Sequence, residues 1–381
     1  MVVREVVSRR DKDRFIKFPW RIYRHDRNWV PPLIAERREF LDPRRNPFFE
    51  HAEVKLFLAH DEAGNELGRI AAMVNSNHIR THKEKAGFFG LFEAVNDRAA
   101  ANILFDAAAR FLRSRGMEIM RGPENMSMND DLGLLVEGFD APPMIMMPHN
   151  PPYYEALIEG YGFRKVMDLL AYHGVARPGQ IPQRVVRGAE LLKQKYNYTV
   201  RTVRMDDFDA EIKRIHAVYS SAWEENWGAV AMTDREFAHL ARNLKPVVDP
   251  DLCLIAEVDG EVAGFSLALP DYNQVLIRLN GRLVPFGIFK FLYYRRKIDA
   301  IRIITMGVIK KFRRMGIDNW FYCETHKRAL AKGLRHGEMS WILENNVSMN
   351  RILENLGFTV YKKYRLYDFP FTHLDLCERS S

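Results

Sequence analysis

The sequence predicts two α/β domains of one type arranged in tandem. Its length of 381 residues is ample for two domains. A helical motif in the first half recurs near the end of the second half, and both halves present the same order of strands and helices. Each half is therefore expected to fold as a hairpin, a strand, a helix, a strand, a helix and a final strand.

The order begins with a hairpin in each half. EVKLFLAH, the turn in DEAGNE and RIAAMV form the first, and LCLIAEV, the turn at Asp259-Gly260 and GFSLAL form the second. A strand and a helix follow in each half: AGFFGLFEAV before DRAAANILFDAAARFLRSRG, and AIRIITMGVI before a helix that opens near Gly316.

The repeated helix carries the strongest sign of duplication. From Gly162 to Gly357 the offset is 195 residues (357 minus 162), and the apolar positions before each glycine keep that offset with the i, i+3, i+4, i+7 spacing of one helix face. The matched pairs are Asn150 with Asn345, Tyr154 with Met349, Leu157 with Ile352, Ile158 with Leu353, and Tyr161 with Leu356. Glycine suits the left-handed position that ends a helix. A strand follows each copy, and Tyr172 and Tyr367 keep the offset.

Proline, glycine and arginine interrupt the pattern in ARPGQIPQRVVRG, which predicts the boundary between the halves. We expect a first domain over 1–176, a linker over 177–197 and a second domain over 198–381. Each half also holds a long insertion, PDYNQVLIRLNGRLVPFGIFKFLYYRRKIDA in the second and the stretch that includes GPENMSMNDDLG in the first. Loops of this length are usually functional or mobile.

Composition excludes several classes of protein. Hydrophobic residues make up 47% and charged residues 28%, which excludes a disordered or collagen-like chain, and the net charge of +8 permits an anionic partner without requiring one. Three cysteines share no CxxC spacing and the histidines show no HExxH pattern, which predicts reduced thiols and no metal site. The opening MVVREVVSRRDKDR has no apolar core, and the longest uncharged stretch, 141–154, holds five prolines. We expect a cytoplasmic protein with neither a signal peptide nor a membrane span.

The junction TMGVIKKFRRMGID, from Thr305 to Asp318, is the sharpest indication of a site. A strand enters a basic turn, and Gly316 opens the next helix, whose unpaired N–H groups and dipole favour phosphate. Residues 286–315 hold nine Lys and Arg residues and one Asp. A solvated basic loop is the alternative interpretation.

This junction resembles the GNAT superfamily of acyl-CoA-dependent N-acyltransferases, whose pattern is Arg/Gln-x-x-Gly-x-Gly/Ala. Arg313 and Gly316 match the first two positions, and Asp318 departs from the third. The helix RILENLGF after Asn345-Asn346 resembles the closing helix of that superfamily, and the resemblance covers residues 198–370. It implies an α/β (α+β) fold of two tandem domains, each a mixed, mostly antiparallel sheet flanked by helices. The first half is expected to be a degenerate copy, because its turn AVNDRAAAN has neither glycine nor a basic run.

The resemblance also implies a coenzyme A groove. Backbone groups from Met306 to Val308 would pair with the pantetheine arm, and the turn would hold the pyrophosphate. The implied cofactor-binding residues are Met306, Gly307, Val308, Arg313, Arg314, Met315, Gly316, Ile317, Asp318 and Asn346.

The proton chemistry departs from the pattern of the superfamily. The tyrosine that usually protonates the leaving thiolate is replaced by Leu353. Glu344, at the end of the strand EMSWILEN, is the predicted catalytic residue, a base for the amine proton. A strand-end carboxylate in an ion pair is the alternative. A polar loop in the first half, with Glu124, Asn125, Asn129, Asp130 and Asp131, would suit an amine or remain solvated.

The leading hypothesis is an acyltransferase that moves an acyl group to an amine of a small-molecule acceptor. Acetyl-CoA, a longer acyl-CoA or the phosphopantetheine arm of an acyl carrier protein would serve as donor. One alternative is a non-catalytic ligand-binding protein of the same fold. Another is an aminoacyl-tRNA-dependent transferase, although no RNA-binding motif is seen and a nucleic-acid partner is not expected. The acceptor, the acyl length and the oligomeric state remain open.

Overall fold

The computed structural model describes residues 1–223 and 226–371, which form two compact units. Unit 1 holds Met1–Leu169, Leu276–Ile288 and the described residues from Lys362 onward, and unit 2 holds Leu170–Val275 and Phe289–Tyr361. A helix, Gln183–Tyr196, lies within the segment expected to be a linker. The domain limits drawn from the sequence stay a prediction.

The first half of the chain contains seven strands and six helices among the described residues. The strands are β1 (Val2–Glu5), β2 (Ala52–His60), β3 (Glu66–Asn75), β4 (Ala86–Ala94), β5 (Ile119–Gly122), β6 (Leu134–Glu137) and β7 (Arg164–Val175). The helices are α1 (Arg9–Lys17), α2 (Pro19–Ile22), α3 (Ile34–Phe40), α4 (Ser76–His82), α5 (Arg98–Ser114) and α6 (Tyr154–Tyr161).

The second half adds six strands and seven helices among the described residues. The strands are β8 (Tyr198–Thr202), β9 (Cys253–Val258), β10 (Glu261–Pro270), β11 (Ala300–Val308), β12 (His336–Leu343) and β13 (Thr359–Pro370). The helices are α7 (Gln183–Tyr196), α8 (Phe208–Trp223), α9 (Asp234–Leu244), α10 (Asn273–Leu276), α11 (Gly287–Tyr294), α12 (Ile317–Ala331) and α13 (Val347–Asn355).

The two units repeat one strand order. Unit 1 runs β1-β2-β3-β4-β5 and ends on β13, and unit 2 runs β8-β9-β10-β11-β12 and ends on β7. In unit 1 the β4–β5 pair is parallel, as is β11–β12 in unit 2, while the other pairs along β1–β4 and β8–β11 are antiparallel. The predicted fold class, a mostly antiparallel mixed sheet with flanking helices in each half, is confirmed.

The predicted hairpins form because the turn chemistry matches the strand twist. β9 and β10 are joined at Asp259 and Gly260, which both take positive φ, 50° and 80°. Positive φ at both central positions matches the right-handed twist of the flanking strands. The β2–β3 hairpin closes over Asp61–Asn65, where the Asp61 carboxylate accepts a hydrogen bond from the Asn65 amide at 2.8 Å.

The repeated helices are α6 and α13, and both end as the sequence predicts. Gly162 and Gly357 have φ of 120° and 84°, a region that costs glycine nothing. The inward face of α6 is buried in the unit 1 core, with Ile158 fully buried. Leu353, its counterpart in α13, is also fully buried, in a unit 2 cluster that includes Tyr322 and Met339.

The strands that follow these two helices change units. β7 starts in unit 1 at Arg164 and ends in unit 2 at Val175, while β13 starts in unit 2 at Thr359 and ends in unit 1 at Pro370. Tyr172 therefore packs in the unit 2 core. Its repeat partner Tyr367 packs in the unit 1 core.

Cys253 is buried in β9 and Cys323 is partly exposed, and neither forms a disulfide within residues 1–223 and 226–371; Cys377 lies outside the described residues. Across residues 1–223 and 226–371, no helix has the length and apolar character that a membrane crossing requires.

Candidate functional site

A split between two parallel strands creates the main cleft of unit 2. β11 and β12 pair from Ala300 with His336 to Ile303 with Met339, and beyond that point β11 continues to Val308 and β12 to Leu343. The register of β11 against β10 skips Ile304, which makes this residue a β-bulge. A bulge bends its strand and increases its twist, so it accounts for the divergence.

The cleft has a volume of about 540 Å³ and is bounded by β11, β12 and the starts of α12 and α13. Its lining combines apolar strand residues with a few polar groups. Eight of the ten residues predicted to bind the cofactor lie here: Met306, Gly307, Val308, Arg313, Arg314, Ile317, Asp318 and Asn346. The other two are Met315, which packs against a core cluster with Phe312 and Phe321, and Gly316.

Gly316 is the N-cap of α12 and leaves the helix N-terminus without a side-chain cap. Its φ is 75°, and Arg314, two residues earlier, has a φ of 73°. A Cβ atom on Gly316 would lie 2.5 Å from Leu192 Cδ1, so a side chain there would strain the backbone and would require Leu192 to shift. The first amide groups of α12 are thus open to an anion at the positive end of the helix dipole.

The basic turn before α12 contains residues in different roles. Arg313 and Arg314 are exposed and line the cleft. Arg313 also reaches back to the strand, with Nε donating to the Val308 carbonyl at 3.4 Å. Lys311 forms an ion pair with Glu261, with 2.5 Å between its Nζ and the carboxylate. The two arginines are therefore the best-placed cations for a phosphate in the cleft.

Tyr322 on α12 lines the cleft behind this turn. Its hydroxyl donates to Met349 Sδ at 3.0 Å, on the first turn of α13. Burial raises the pKa of Tyr322 well above its ordinary value, and the nearby Asp318 carboxylate adds a smaller contribution in the same direction. The hydroxyl therefore stays protonated and able to donate.

A buried polar network lies beside the last paired residues of the two strands. Arg302 is 2% exposed and Glu338 is fully buried, and the guanidinium lies 3.4 Å from the carboxylate. Ser340 joins them: its Oγ accepts from Arg302 Nε at 2.7 Å and donates to Glu338 at 2.6 Å. Tyr361 also donates to Glu338. Ser340 lines the cleft, so this network connects the cleft to a buried carboxylate.

Glu344, the predicted base, lies in the turn after β12 and is partly exposed. It does not line the cleft, whose wall ends at Leu343 and resumes at Asn346. The Asn350 side chain donates to the Glu344 carbonyl at 3.2 Å. The Asn346 side chain caps α13 by accepting from the Met349 amide at 3.2 Å.

A second, narrow cavity adjoins the cleft. Its volume is about 50 Å³, and the two spaces share Ile303, Tyr322 and Met339 as lining. Its other walls are mainly apolar, including Ile301, Ala329, Leu334, Leu356 and Phe358. Gly337 also lines it, at a position where a Cβ atom would meet nothing closer than 3.8 Å.

The corresponding strand split in unit 1 is closed by its own chain. The residues after β5 pack onto β4, so that the Glu124 amide donates to the Phe89 carbonyl at 2.8 Å. A Cβ atom on Gly90 would lie 1.8 Å from the Glu124 carbonyl oxygen. Asp97 caps α5, its carboxylate accepting from Ala99 at 2.7 Å. The Asp97 carboxylate therefore already occupies the position at the start of α5 where an anion would bind.

Glu124, from the polar loop, is 2% exposed, and burial raises the pKa of its carboxyl to about 8. Asn125 of the same loop supports β4, since its Oδ1 accepts from the Leu91 amide at 2.6 Å. In residues 1–223 and 226–371, no group of three or more His, Cys, Asp or Glu side chains is placed to hold a metal ion.

Sequence reasoning missed the buried network and Tyr322. A signal was present for the network, since Arg302, Glu338 and Ser340 are polar residues inside otherwise apolar strands. No such signal marked Tyr322, because α12 carries polar and apolar residues on all sides.

Two curated relatives match nearly the whole chain. The bacterial ceramide synthase of Caulobacter vibrioides (strain NA1000 / CB15N) is 40% identical over 367 residues, which cover 93% of this chain and 94% of the relative. Protein YghO of Escherichia coli (strain K12) is 36% identical over 374 residues, covering 96% and 95%. No protein-family model matches the chain.

Solved structures share the fold at much lower identity. A tandem GNAT protein from the clavulanic acid biosynthesis pathway superposes with a TM-score of 0.57 at 10% identity. The superposition covers 97% of this chain and 98% of that protein, so both halves take part.

Proposed function

This chain belongs to the family of the bacterial ceramide synthase and YghO, an acyltransferase family with the tandem GNAT fold, and we propose that it N-acylates a long-chain amino alcohol. A ceramide is the amide of such an amino alcohol with a fatty acid. The observation that carries the proposal is the cleft between β11 and β12, which opens onto the uncapped start of α12.

The donor is proposed to be a long-chain acyl-CoA. The first amide groups of α12, with Arg313 and Arg314, would hold the pyrophosphate. The strand groups from Met306 to Val308, beyond the last β12 partner, would pair with the pantetheine arm. A phosphopantetheine arm on a carrier protein would use the same strand.

The acyl chain is proposed to start in the narrow apolar cavity behind Ile303, Tyr322 and Met339. Its volume of about 50 Å³ equals a few water-sized spheres. It would therefore accept the first carbons of the chain, and the wider cleft would hold the rest. Gly337 is the natural place to narrow it, since a Cβ atom there would lie 3.8 Å from the Phe358 ring and 4.0 Å from the Gly174 carbonyl oxygen, both ordinary contacts.

In the reaction the amine nitrogen attacks the thioester carbonyl, the C–N bond forms and the C–S bond breaks. We propose that the Tyr322 hydroxyl donates to the departing thiolate, in place of the absent tyrosine at Leu353. Glu344, predicted from the sequence to accept the amine proton, does not line the cleft. The Ser340–Glu338 pair is a second candidate, which the geometry favours because Ser340 lines the cleft.

The test is an amide-forming assay on the purified chain. Acyl-CoA donors from acetyl to stearoyl are offered with sphinganine or with ethanolamine, and products are measured by mass spectrometry. We expect long-chain amide from sphinganine only, and a shift toward shorter donors in Gly337→Leu. Equal use of ethanolamine would overturn the acceptor assignment. If no donor gave a detectable amide, the non-catalytic and tRNA-dependent alternatives would be favoured instead. Product from an acyl carrier protein but not from acyl-CoA would reassign the donor.

A further inference from the structure

One segment of the chain exposes apolar and basic side chains together. Of the twelve large hydrophobic side chains most exposed among the described residues, six lie within ten residues: Val284, Phe286, Ile288, Phe289, Leu292 and Tyr293. Phe286 is 77% exposed and Phe289 is 69% exposed. Residues 282–297 are called the apolar-basic segment below.

Helix α11 lies within this segment and turns one apolar face outward. Ile288, Phe289, Leu292 and Tyr293 follow i, i+1, i+4, i+5 spacing, which places them on one side of a helix. On the opposite side of the helix, Phe291 stacks on Tyr272 with ring centroids 5.6 Å apart. No residue of α11 is buried, so the helix does not serve as a core element.

Positive charge accompanies the apolar face without compensation from the same segment. Residues 282–297 contain no Asp or Glu. They contain five exposed basic residues: Arg282, Lys290, Arg295, Arg296 and Lys297. Lys297 lies over the Tyr293 ring at 4.3 Å and donates to its hydroxyl at 2.8 Å. The cations thus flank the exposed aromatic residues.

A short helix with an aromatic and aliphatic outer face and a basic surround is the pattern of a helix that lies in a membrane interface. We propose that the apolar-basic segment docks on the surface of an anionic lipid bilayer. The apolar side chains of α11 enter the boundary between headgroups and acyl chains, and the cations contact lipid phosphates. A second copy of the chain fits less well, because a two-fold contact would bring like charges together.

This docking does not depend on the identity of the acylated amine. It concerns residues 282–297, none of which lines the cleft. The inference stands if the acceptor assignment fails, and the experiment measures binding alone.

The experiment is co-sedimentation of the full chain with vesicles. One set contains equal parts of phosphatidylglycerol and phosphatidylcholine, and the other contains phosphatidylcholine only. We expect binding to the anionic set that weakens at high salt. Arg295→Gln with Arg296→Gln should lower the partition coefficient roughly 25-fold, since each cation contributes about fivefold. Phe286→Ser with Phe289→Ser should lower it at least about tenfold.

Matched controls come from exposed residues of α7. Arg184→Gln with Arg187→Gln, and separately Leu191→Ser, remove the same charge and a similar apolar side chain without changing the segment. These control variants should leave the partition coefficient within about twofold of the wild-type value. Equal losses in controls and test variants would overturn the proposal, as would absence of binding to anionic vesicles. A dimer in solution that Phe286→Ser with Phe289→Ser dissociates, without vesicle binding, would assign the segment to a second copy.

Discussion

The hydroxyl oxygen of Tyr322 lies 3.0 Å from the sulfur of Met349, one helical turn before Leu353. A phenol on α12 therefore reaches the part of α13 where tyrosine is absent. Thioether sulfur is a weak acceptor, so a thiolate would readily replace it. A hydroxyl from α12 thus contacts α13 one turn before Leu353.

Tyr322→Phe should lower kcat about 100-fold with little change in KM, because the lost hydrogen bond acts only on the departing thiolate. Steady-state rates with a long-chain acyl-CoA measure this. Met349→Leu removes the sulfur and keeps the hydroxyl, so it should change kcat less than about threefold. Equal rates in Tyr322→Phe and wild type would refute the role.

Ser340→Ala should lower kcat at least about tenfold, because it breaks the path from the cleft to Glu338. Glu344→Gln should change kcat less than about twofold (an effect of that size is typical of a group outside the cleft). Steady-state values of kcat for both variants decide the matter. The reverse pattern would restore Glu344 as the base.

Arg314→Asn should weaken coenzyme A binding about tenfold, the usual loss for a charge-assisted hydrogen bond. Asparagine tolerates the left-handed conformation of this position, so the unfolding temperature should hold. Isothermal titration measures the affinity. Lys311→Gln is the control, because Lys311 is paired with Glu261 and should leave the affinity unchanged.

Gly316→Ala should destabilise the chain more than Gly333→Ala, by at least about 1 kcal/mol. Both glycines have φ near 75°, at 75° and 77°, so both variants carry left-handed strain. Only at Gly316 does the new methyl group meet Leu192, at 2.5 Å, whereas nothing lies within 4 Å at Gly333. Urea unfolding of both variants measures the difference, and equal values would show that Leu192 moves aside freely.

Glu124→Gln should change how stability depends on pH. The carboxyl pKa is about 8 in the folded chain and near 4.5 when unfolded, so the folded state binds more protons between these values. The free energy of unfolding therefore falls as pH rises from about 4.5 to 8, and the variant should lack this component. It should be more stable than wild type at pH 9 and similar near pH 4. Glu62→Gln, at an exposed site, should follow wild type; a Glu124→Gln curve that also does so would refute the raised pKa.

The sequence predicted the elements because local rules decide them. Periodicity located α6 and α13, and the positive φ of Gly162 and Gly357 followed from their positions. Membership of a sheet is a different matter. A strand that packs Tyr172 in one unit and a strand that packs Tyr367 in the other show the same alternation, so no local pattern distinguishes them.

The candidate site was predictable only where it depends on backbone geometry. The glycine at the start of α12 and the basic turn before it were visible in the sequence. The Arg302–Glu338 pair depends on the register of β11 against β12, which sets those residues opposite one another. That register is a long-range property, and its outcome decides which polar side chains share the buried space.

The exchanged strand β13 bears on the order in which the protein is made. Its Phe369 pairs with Met120 in β5, a separation of 249 residues (369 minus 120). During synthesis on the ribosome, unit 1 cannot complete its sheet until the part of β13 that pairs with β5, Tyr367–Pro370, has emerged. A nascent chain released before residue 362 would leave β5 as an open edge, on which other nascent chains could aggregate.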